Sequence, residues 1–388
     1  MERIESFLQE RRDENLLRVL RPANKRSDGK IFFGDKEMID LSSNDYLGLS
    51  SHPKMKEVVK SAVDQYGAGA SASRLLSGDL NLHHELEEKI AMFKKKESAL
   101  LFNSGYQANV GIISSICKQG DLIFSDKLNH ASIIDGILLS GATFHRFLHN
   151  NMDHLKTLLE QHRPKAKQAL IITETIFSMD GDKAPLKDIV RLAREYSCLI
   201  MVDEAHATGV FSADGSGMVS EEGLSSDIDI IMGTFSKALG SFGAYVGCSQ
   251  LLKDYLINSS RSFIYSTALP PSVVAANLAS LDLVREEVFR RKSLLENSNY
   301  FRNRLIDRGF QTKGSSQIVP LILGDNQSAI NMALLLETAR YRVLPIRYPT
   351  VAKNQARIRF SLNYYHQKDM LEKLIESICE INKVCVLR

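Results

Sequence analysis

Polar side chains that could act in catalysis follow three apolar runs, each of which has the pattern of a buried strand. Lys237 lies in "GTFSKALG", directly after the run "DIDIIM", and Asp203 lies at the end of "CLIMVDE" with His206 three residues further on. His130 stands in "SDKLNHAS", after the run "DLIFSD". Burial lowers the pKa of a lysine and favours the neutral amine, which acts as a nucleophile or a base. The pattern therefore predicts a site built around Lys237.

Two further stretches supply groups that bind small ligands. In "FNSGYQAN", Gly105 occupies a turn and a helix is predicted from about Tyr106, so free backbone N–H groups could hold a phosphate. An ordinary strand-to-helix turn explains this stretch equally well when it is taken alone. Ser178 in "IFSMDGD" is either a site hydroxyl or a turn residue that makes a local backbone hydrogen bond.

Two other kinds of site are disfavoured. No H-x-x-x-H or H-E-x-x-H set that could join Asp203 and His206 stands at another strand end, and His145 and His149 are expected to lie along one strand with a structural role. No G-x-S-x-G elbow of a serine hydrolase occurs. A phosphate cradle, a carboxylate, a histidine and a half-buried lysine are together typical of a pyridoxal phosphate (PLP) site. There the lysine forms a Schiff base and the carboxylate keeps the pyridine nitrogen protonated.

The elements that must position these residues alternate along the chain. Strands are predicted at "ALLF", "DLIFSD", "ATFHRF", "ALIITET", "CLIMVDE" and "DIDIIM". Helices are predicted at "YQANVGIISSIC", "HASIIDGILLS", "MDHLKTLLEQH" and "LKDIVRLAREYS". This order indicates an α/β fold with a mostly parallel sheet and helices on both faces. Ligands of such sheets bind at the carboxyl ends of the strands, where the candidate residues stand.

The two ends of the chain have their own patterns. An amphipathic helix from about Ile4 to Leu20 is predicted to end before Pro22, and one long helix is predicted through residues 278–308, stopped by Gly309. Two strands, "QIVPLILGD" and "ARIRFSL", alternate beyond it with the helix "AINMALLLETAR" and a final helix from about Lys368. The predicted units are an N-terminal helix and arm at 1–50, a large PLP-binding domain at 51–285 and a small C-terminal α/β domain at 286–388.

Composition excludes several classes of protein. The 388 residues are 44% hydrophobic and 24% charged, with a formal net charge of +3, which is typical of a globular protein with no nucleic-acid or membrane footprint. The odd set of five cysteines contains no C-x-x-C pair, so a zinc site or disulfide framework is not expected. No signal peptide or spanning segment is evident. A cytoplasmic protein is expected.

The chain resembles the α-oxoamine synthases, PLP-dependent transferases of fold type I, and within them the 8-amino-7-oxononanoate synthases of biotin synthesis. The matching stretches are "LSSNDYLGLSSHP", "GAGASASRLLSG", "FNSGYQANVG", "NHASIIDG", "FSMDGDKAPL", "MVDEAHATGV", "GTFSKALG", "IYSTALPP" and "ARIRFSL". The resemblance implies the cofactor PLP, an acyltransferase activity and a homodimer with shared active sites.

It also implies roles for individual residues around the cofactor. Lys237 would carry the Schiff base, Asp203 would pair with the pyridine nitrogen, and His206 would contact the ring hydroxyl. His130 would stack on the ring and Ser178 would line the cofactor. The catalytic residues implied are Lys237, His130, Asp203 and His206.

The resemblance implies further contacts for the phosphate and the substrate. Thr234 and the backbone of Gly105 and Tyr106 would hold the phosphate, while Thr267 would reach the phosphate of the neighbouring subunit. Arg359 would bind the carboxylate of the amino acid. The substrate-binding residues implied are Arg18, Asn44, His130, Thr350 and Arg359.

The substrates implied are L-alanine and a pimeloyl thioester of coenzyme A or acyl carrier protein. In "IRYPTVA", Arg347 precedes the Pro-Thr pair as in the oxononanoate synthases, but Tyr348 and Ala352 stand where those enzymes commonly have proline. These departures leave open 2-amino-3-ketobutyrate ligase, which joins glycine and acetyl-coenzyme A, and a relative with another acyl chain. An aminotransferase and a non-catalytic nucleotide-binding protein are the alternatives from other classes.

Overall fold

A computed structural model describes residues 1–386 of the chain. Its strands are, in order, β1 (Lys25–Ser27), β2 (Lys30–Phe33), β3 (Lys36–Asp40), β4 (Ser98–Phe102), β5 (Leu122–Asp126), β6 (Thr143–Phe147), β7 (Ala169–Glu174), β8 (Leu199–Asp203), β9 (Ile230–Thr234), β10 (Ala244–Cys248), β11 (Ile318–Gly324), β12 (Tyr341–Arg342), β13 (Pro345–Ile346) and β14 (Ala356–Ser361). Its α-helices are α1 (Glu2–Asp13), α2 (Pro53–Tyr66), α3 (Asn81–Lys94), α4 (Gly105–Ile116), α5 (Ala131–Ser140), α6 (Met152–His162), α7 (Leu186–Glu195), α8 (Met218–Glu221), α9 (Gln250–Ser259), α10 (Arg261–Ile264), α11 (Pro271–Glu286), α12 (Val288–Asp307), α13 (Asn326–Thr338) and α14 (Lys368–Val386).

A seven-stranded sheet in the order β4-β10-β9-β8-β7-β5-β6 carries the candidate site residues. Its pairs β5·β6, β5·β7, β7·β8 and β8·β9 are parallel. Leu100 and Leu101, neighbours on β4, belong to two different apolar clusters, because successive side chains of a strand point to opposite faces. Both faces of the sheet are thus covered. The predicted fold class is confirmed, as are the six strands and four helices predicted in this region.

Strand β10 was not predicted from the sequence. It is short, and glycine-containing residues 240–243 precede it, so its five residues give a weak local signal. It pairs antiparallel with both β4 and β9, and all five of its residues are buried. The loop between β9 and β10, which contains Lys237, therefore reverses the chain direction at the carboxyl end of β9.

The predicted N-terminal helix is too long by seven residues. Helix α1 ends at Asp13, and Asn15 has a φ of 56°, a left-handed conformation that does not continue a right-handed helix. Leu20, counted on the apolar face of the predicted helix, is 97% exposed. The arm that follows forms β1 to β3, and β3 pairs parallel with β12, so that residues near both ends of the chain share one sheet.

The long helix predicted over 278–308 is two helices. Glu287 has φ −102° and ψ 53°, which interrupts the helical backbone between α11 and α12. The apolar period continues across the break, so the pattern alone gave no sign of it. Gly309 has a φ of 82° directly beyond the end of α12, and its predicted role as the helix stop is confirmed.

The C-terminal part forms a second α/β unit, as predicted. Strand β14 lies between β11 and β13, and α13 and α14 contact each other beside this sheet. The predicted domain limits at residues 50 and 285 stay a prediction. Within residues 1–386, no helix combines the length and apolarity that crossing a membrane requires.

Candidate active site

Lys237 lies in the loop between β9 and β10, and its side chain points at His206. Lys237 Nζ is 2.9 Å from His206 Nε2. The lysine is half-buried, and burial lowers its pKa to about 8, against the opposing influence of Asp203 and Glu174. About a tenth of this amine is therefore neutral at pH 7, far more than for an exposed lysine, in the direction that the sequence pattern predicted.

His206 lies in the turn after β8 and is buried. Its Nδ1 is 2.7 Å from the hydroxyl of Tyr46, and its backbone carbonyl accepts a hydrogen bond from Gln317 at 2.8 Å. Burial, followed by the charges of Lys237 and Arg359, lowers the pKa of His206 well below its usual value. The imidazole is thus neutral and held in one orientation.

Asp203 ends β8 and is joined to His130 by a chain of hydrogen bonds. Asn109 Nδ2 donates to Asp203 Oδ2 and to Ser132 Oγ, both at 2.9 Å. Ser132 Oγ lies 2.8 Å from His130 Nδ1. The backbone N–H of Ala205 donates to the other Asp203 oxygen at 2.8 Å. Asn109 was not singled out in the sequence, and its only local signal is its position one turn beyond Gly105 in α4.

His130 is the N-cap of α5, where its Nδ1 accepts from the backbone N–H of Ser132 at 3.3 Å. Its ring also lies edge-on to Tyr106, with ring centroids 6.4 Å apart. Burial lowers the pKa of His130. A helix-capping role and a place beside the site are thus compatible for this residue.

Glu174 is a second residue missed in the sequence. It ends β7 directly opposite Asp203, and its Oε1 is buried with no hydrogen-bond partner in the part of the chain that the structure describes. Burial and then the Asp203 carboxylate raise its pKa well above the usual value. The signal that could have found it is the one used for Asp203, an acidic residue at the carboxyl end of an apolar strand.

The residues predicted to bind a phosphate lie together, where β9 approaches the start of α4. Helix α4 begins at Gly105, and a Cβ atom on Gly105 would lie 2.7 Å from Thr234 Cγ2, so only glycine fits there. Thr234 Oγ1 is buried and has no hydrogen-bond partner among residues 1–386. A free hydroxyl beside free helix N–H groups suits a phosphate. Tyr106 is partly exposed at the same helix end.

Arg359 on β14 extends into the cluster formed by Asn44, Tyr46 and Ser178. Its guanidinium donates to Asn44 Oδ1 and to the Tyr46 hydroxyl at 3.3 Å, and also to the carbonyl of Ser178. Arg359 is buried, yet no carboxylate of residues 1–386 forms an ion pair with it. Arg357, two residues earlier, is by contrast paired with Asp180. Within the described residues, Arg359 therefore lacks the ion pair with a carboxylate that a structural arginine on a strand would form.

The remaining predicted residues lie at the surface of the single chain. Thr267 is exposed, and its carbonyl accepts from Asn103 Nδ2 at 2.7 Å. Arg18 and Thr350 are exposed as well. Arg347 donates to the carbonyl of Asn15, and burial together with the nearby Arg18 charge lowers its pKa. The structure thus brings Arg18 close to the "IRYPTVA" stretch.

Comparisons with known proteins show the family of this chain. The family model "Aminotransferase class I and II" matches residues 36–378. A relative named 8-amino-7-oxononanoate synthase, from Geobacter sulfurreducens, is 46% identical over 97% of this chain and 97% of its own length. The structure of serine palmitoyltransferase from Sphingomonas wittichii superposes on this chain with a TM-score of 0.94 at 30% sequence identity. The match includes 99% of this chain and 98% of the palmitoyltransferase chain.

A variant of serine palmitoyltransferase from S. paucimobilis was solved with a bound PLP–myriocin aldimine. It superposes with a TM-score of 0.92 at 28% sequence identity, and the match includes 99% of this chain and 98% of the variant. These findings confirm the predicted family, the PLP dependence that goes with it and the assignment as an enzyme. The chain belongs to the class I and II aminotransferase family of PLP-dependent enzymes and, within it, to the α-oxoamine synthases that include 8-amino-7-oxononanoate synthase.

Proposed function

We propose that this protein condenses L-alanine with a pimeloyl thioester in biotin synthesis. A bond forms between Cα of alanine and the thioester carbonyl carbon, the thiol leaves, and the alanine carboxyl group is lost as CO₂. The product is 8-amino-7-oxononanoate. The observation that carries the proposal is the half-buried amine of Lys237, 2.9 Å from a neutral His206, whose other ring nitrogen contacts the Tyr46 hydroxyl that also binds the buried Arg359.

The residues present fit PLP as cofactor. Lys237 would hold it covalently, Asp203 would face its pyridine nitrogen and His206 its ring hydroxyl. The free Thr234 hydroxyl and the N-terminus of α4 at Gly105 would take its phosphate. When bound, PLP supplies an electron sink that stabilises negative charge at Cα of the amino acid.

The chain's own groups then bind the amino acid and move its proton. Arg359 presents a planar fork of donors, which matches a carboxylate through two parallel hydrogen bonds. The Lys237 amine, neutral above a pKa of about 8, accepts the α-proton, and the neutral His206 beside it adds no positive charge that would oppose this transfer. His130 would face the ring, and Asn44 would reach the substrate from the Arg359 cluster.

The pimeloyl chain ends in a carboxylate, which needs a cation at the far end of the acyl site. Arg18 and Arg347 lie near each other, and neither forms an ion pair among the described residues. Two neighbouring guanidinium groups without an acidic partner suit such a carboxylate. Thr350 lies in the same turn as Arg347, donates its backbone N–H to the Arg347 carbonyl at 2.9 Å, and would contact the pimeloyl chain.

A matrix of alanine, glycine and serine against acetyl, succinyl, pimeloyl, octanoyl and palmitoyl thioesters tests the substrates. Each thioester is offered on coenzyme A and on acyl carrier protein, and free thiol and CO₂ are measured. Alanine with the pimeloyl thioester is expected to be preferred. A preference for glycine with acetyl-coenzyme A would replace the proposal by the ligase reaction, and formation of a keto acid without thiol release would indicate an aminotransferase.

The terminal carboxylate is tested separately. Arg347→Leu is expected to lower kcat/KM for the pimeloyl thioester by about 10- to 100-fold and to leave that for the octanoyl thioester, which lacks the carboxylate, nearly unchanged. Arg191→Leu, on the exposed side of α7, serves as the matched control. An equal loss of kcat/KM for both thioesters would show that Arg347 does not bind the terminal carboxylate of the pimeloyl chain.

A shared active site in a homodimer is tested by mixing two weakened variants. If Thr267 serves the neighbouring subunit, a hybrid of Lys237→Ala and Thr267→Ala chains contains one site with both residues intact. Co-refolding of the two variants is then expected to restore activity above that of either alone. If Thr267 serves its own chain, every hybrid site is damaged and no activity returns.

A further inference from the structure

His149 lies just beyond β6 and bridges two carboxylates. The expectation that it lies along the same strand as His145 is wrong, because β6 ends at Phe147. His149 Nδ1 is 3.0 Å from Asp126 Oδ1, and Nε2 is 2.7 Å from Asp182 Oδ2. Asp126 itself is fully buried.

This geometry requires a positively charged imidazole. A neutral imidazole carries one N–H and can donate to only one acceptor, whereas both ring nitrogens of His149 face carboxylate oxygens. Partial burial lowers the pKa of His149, but the bonds to Asp126 and then to Asp182 outweigh it and raise the pKa to about 10. The ring is therefore a cation that donates on both sides.

The two carboxylates belong to the two loops that carry candidate cofactor residues. Asp126 ends β5 and accepts from the backbone N–H of Leu128 at 2.8 Å, in the segment that leads to His130. The carbonyl of Asp182 accepts from the backbone N–H of Phe177 at 3.1 Å, and Ser178 follows directly.

Phe177 and Asn150 add further contacts around His149 and its two carboxylate partners. The Phe177 ring is edge-on to His149, with centroids 4.4 Å apart. Asn150 donates its backbone N–H to Asp126 Oδ2 and its side-chain amide to Asp182 Oδ2, both at 2.9 Å. Two residues, His149 and Asn150, thus tie the 126–130 segment to the 176–183 segment, and of these two only His149 carries a positive charge.

We propose that the His149 imidazolium is a positioning residue that fixes His130 and Ser178 relative to each other at the cofactor ring. It does so by holding Asp126 and Asp182 together, and it contacts neither Lys237 nor the phosphate cradle. The inference rests on the proposed roles of His130 and Ser178 toward PLP. It predicts that loss of the His149 cation weakens the contacts of His130 and Ser178 with the cofactor ring and leaves the phosphate contacts at Gly105 and Thr234 unchanged.

The test uses the full-length apoprotein of the wild type, of His149→Gln and of His145→Gln as matched control, since His145 stacks on His162 and bonds neither loop. PLP and inorganic phosphate are titrated separately, with melting temperatures as a third measurement. His149→Gln is expected to weaken PLP binding about tenfold while phosphate affinity stays within about twofold, and His145→Gln is expected to change neither. Equal weakening of both ligands, or a lower melting temperature with unchanged PLP affinity, would overturn the proposal.

A double variant shows whether the ion pair is the cause. Asp182→Asn combined with His149→Gln is expected to weaken PLP binding no more than His149→Gln alone, because the two changes remove the same interaction. Additive losses would contradict a joint action. Failure of the wild type itself to bind PLP would refute the proposed function, and this outcome is visible in the same titration independently of the His149 result.

Discussion

Lys237 Nζ lies 2.9 Å from His206 Nε2, while the other ring nitrogen of His206 faces the hydroxyl of Tyr46. The Tyr46 hydroxyl lies 3.1 Å from Asn44 Oδ1 and 2.7 Å from His206 Nδ1, and it accepts a hydrogen bond from Arg359 at 3.3 Å. A neutral imidazole has one N–H and one lone pair, so its two contacts take opposite roles: one ring nitrogen donates and the other accepts. The loop after β9, the turn after β8 and the N-terminal arm thus meet at the Lys237 amine.

The capture of PLP by the apoenzyme should depend on pH through Lys237. The reactive species is the neutral amine, whose fraction rises about tenfold per pH unit below the pKa of about 8 and levels off above it. The rate, followed by the visible absorbance of the bound cofactor between pH 6 and 10, is expected to flatten above about pH 8.5. A rate that keeps rising to pH 10 would show an ordinary, unburied lysine.

Lys237→Ala is expected to abolish turnover and to leave the fold intact. The residue supplies both the covalent link to PLP and the base, and its side chain makes no contact that the sheet needs. Borohydride reduction followed by peptide mass spectrometry should label Lys237 in the wild type and nothing in the variant. Lys56→Ala, at an exposed position of α2, is the control and should keep full activity. Near-normal turnover of Lys237→Ala would refute the assigned role.

Arg359→Leu is expected to raise the KM for alanine by about 10- to 100-fold, since a charge-assisted bidentate contact is lost. PLP affinity should change less than about threefold because Arg359 is not placed at the cofactor. Ethylamine, which lacks the carboxylate, should bind the wild type and the variant alike in a competition assay. Equal losses of PLP and alanine affinity would assign Arg359 a folding role instead.

Asn109→Ala is expected to weaken PLP binding about tenfold. The change removes a buried donor from Asp203 Oδ2 and breaks the connection between Asp203 and His130. Ser132→Ala, which interrupts only the His130 end of the chain, should have a smaller effect. Titration of the three apoproteins with PLP checks the order, and wild-type affinity in Asn109→Ala would exclude a supporting role for this amide.

Lys94→Met is expected to destabilise the protein by about 3–5 kcal/mol, because it leaves the buried Glu204 without its cation. Lys94 Nζ is 2.7 Å from Glu204 Oε2, beneath the turn that carries Asp203 and His206. Urea unfolding at fixed protein concentration measures the loss. Lys156→Met, which breaks an exposed pair with Glu160, should cost less than about 1 kcal/mol. Combining Lys94→Met with Glu204→Gln should cost less than the sum of the two single changes.

The sequence by itself determined the order of strands and helices, the family and the polar residues at the strand ends. Apolar runs such as that before Asp203 indicate buried parallel strands, because the spacing of apolar residues within a segment shows whether it is a helix or a strand and which side chains are buried. The same reasoning failed where one residue's backbone decided the outcome. Asn15 ended α1 early, and Glu287 divided a helix whose apolar period continued.

Only the tertiary structure decided which polar groups meet. Arg357 and Arg359 look alike in "ARIRFSL", yet the first pairs with Asp180 and the second bonds Asn44, 315 positions away in the chain. The roles of Asn109 and His149 likewise depend on partners from other loops. Such pairings follow from strand order and loop paths, which are set by packing of the whole chain, so that no local window of sequence contains them.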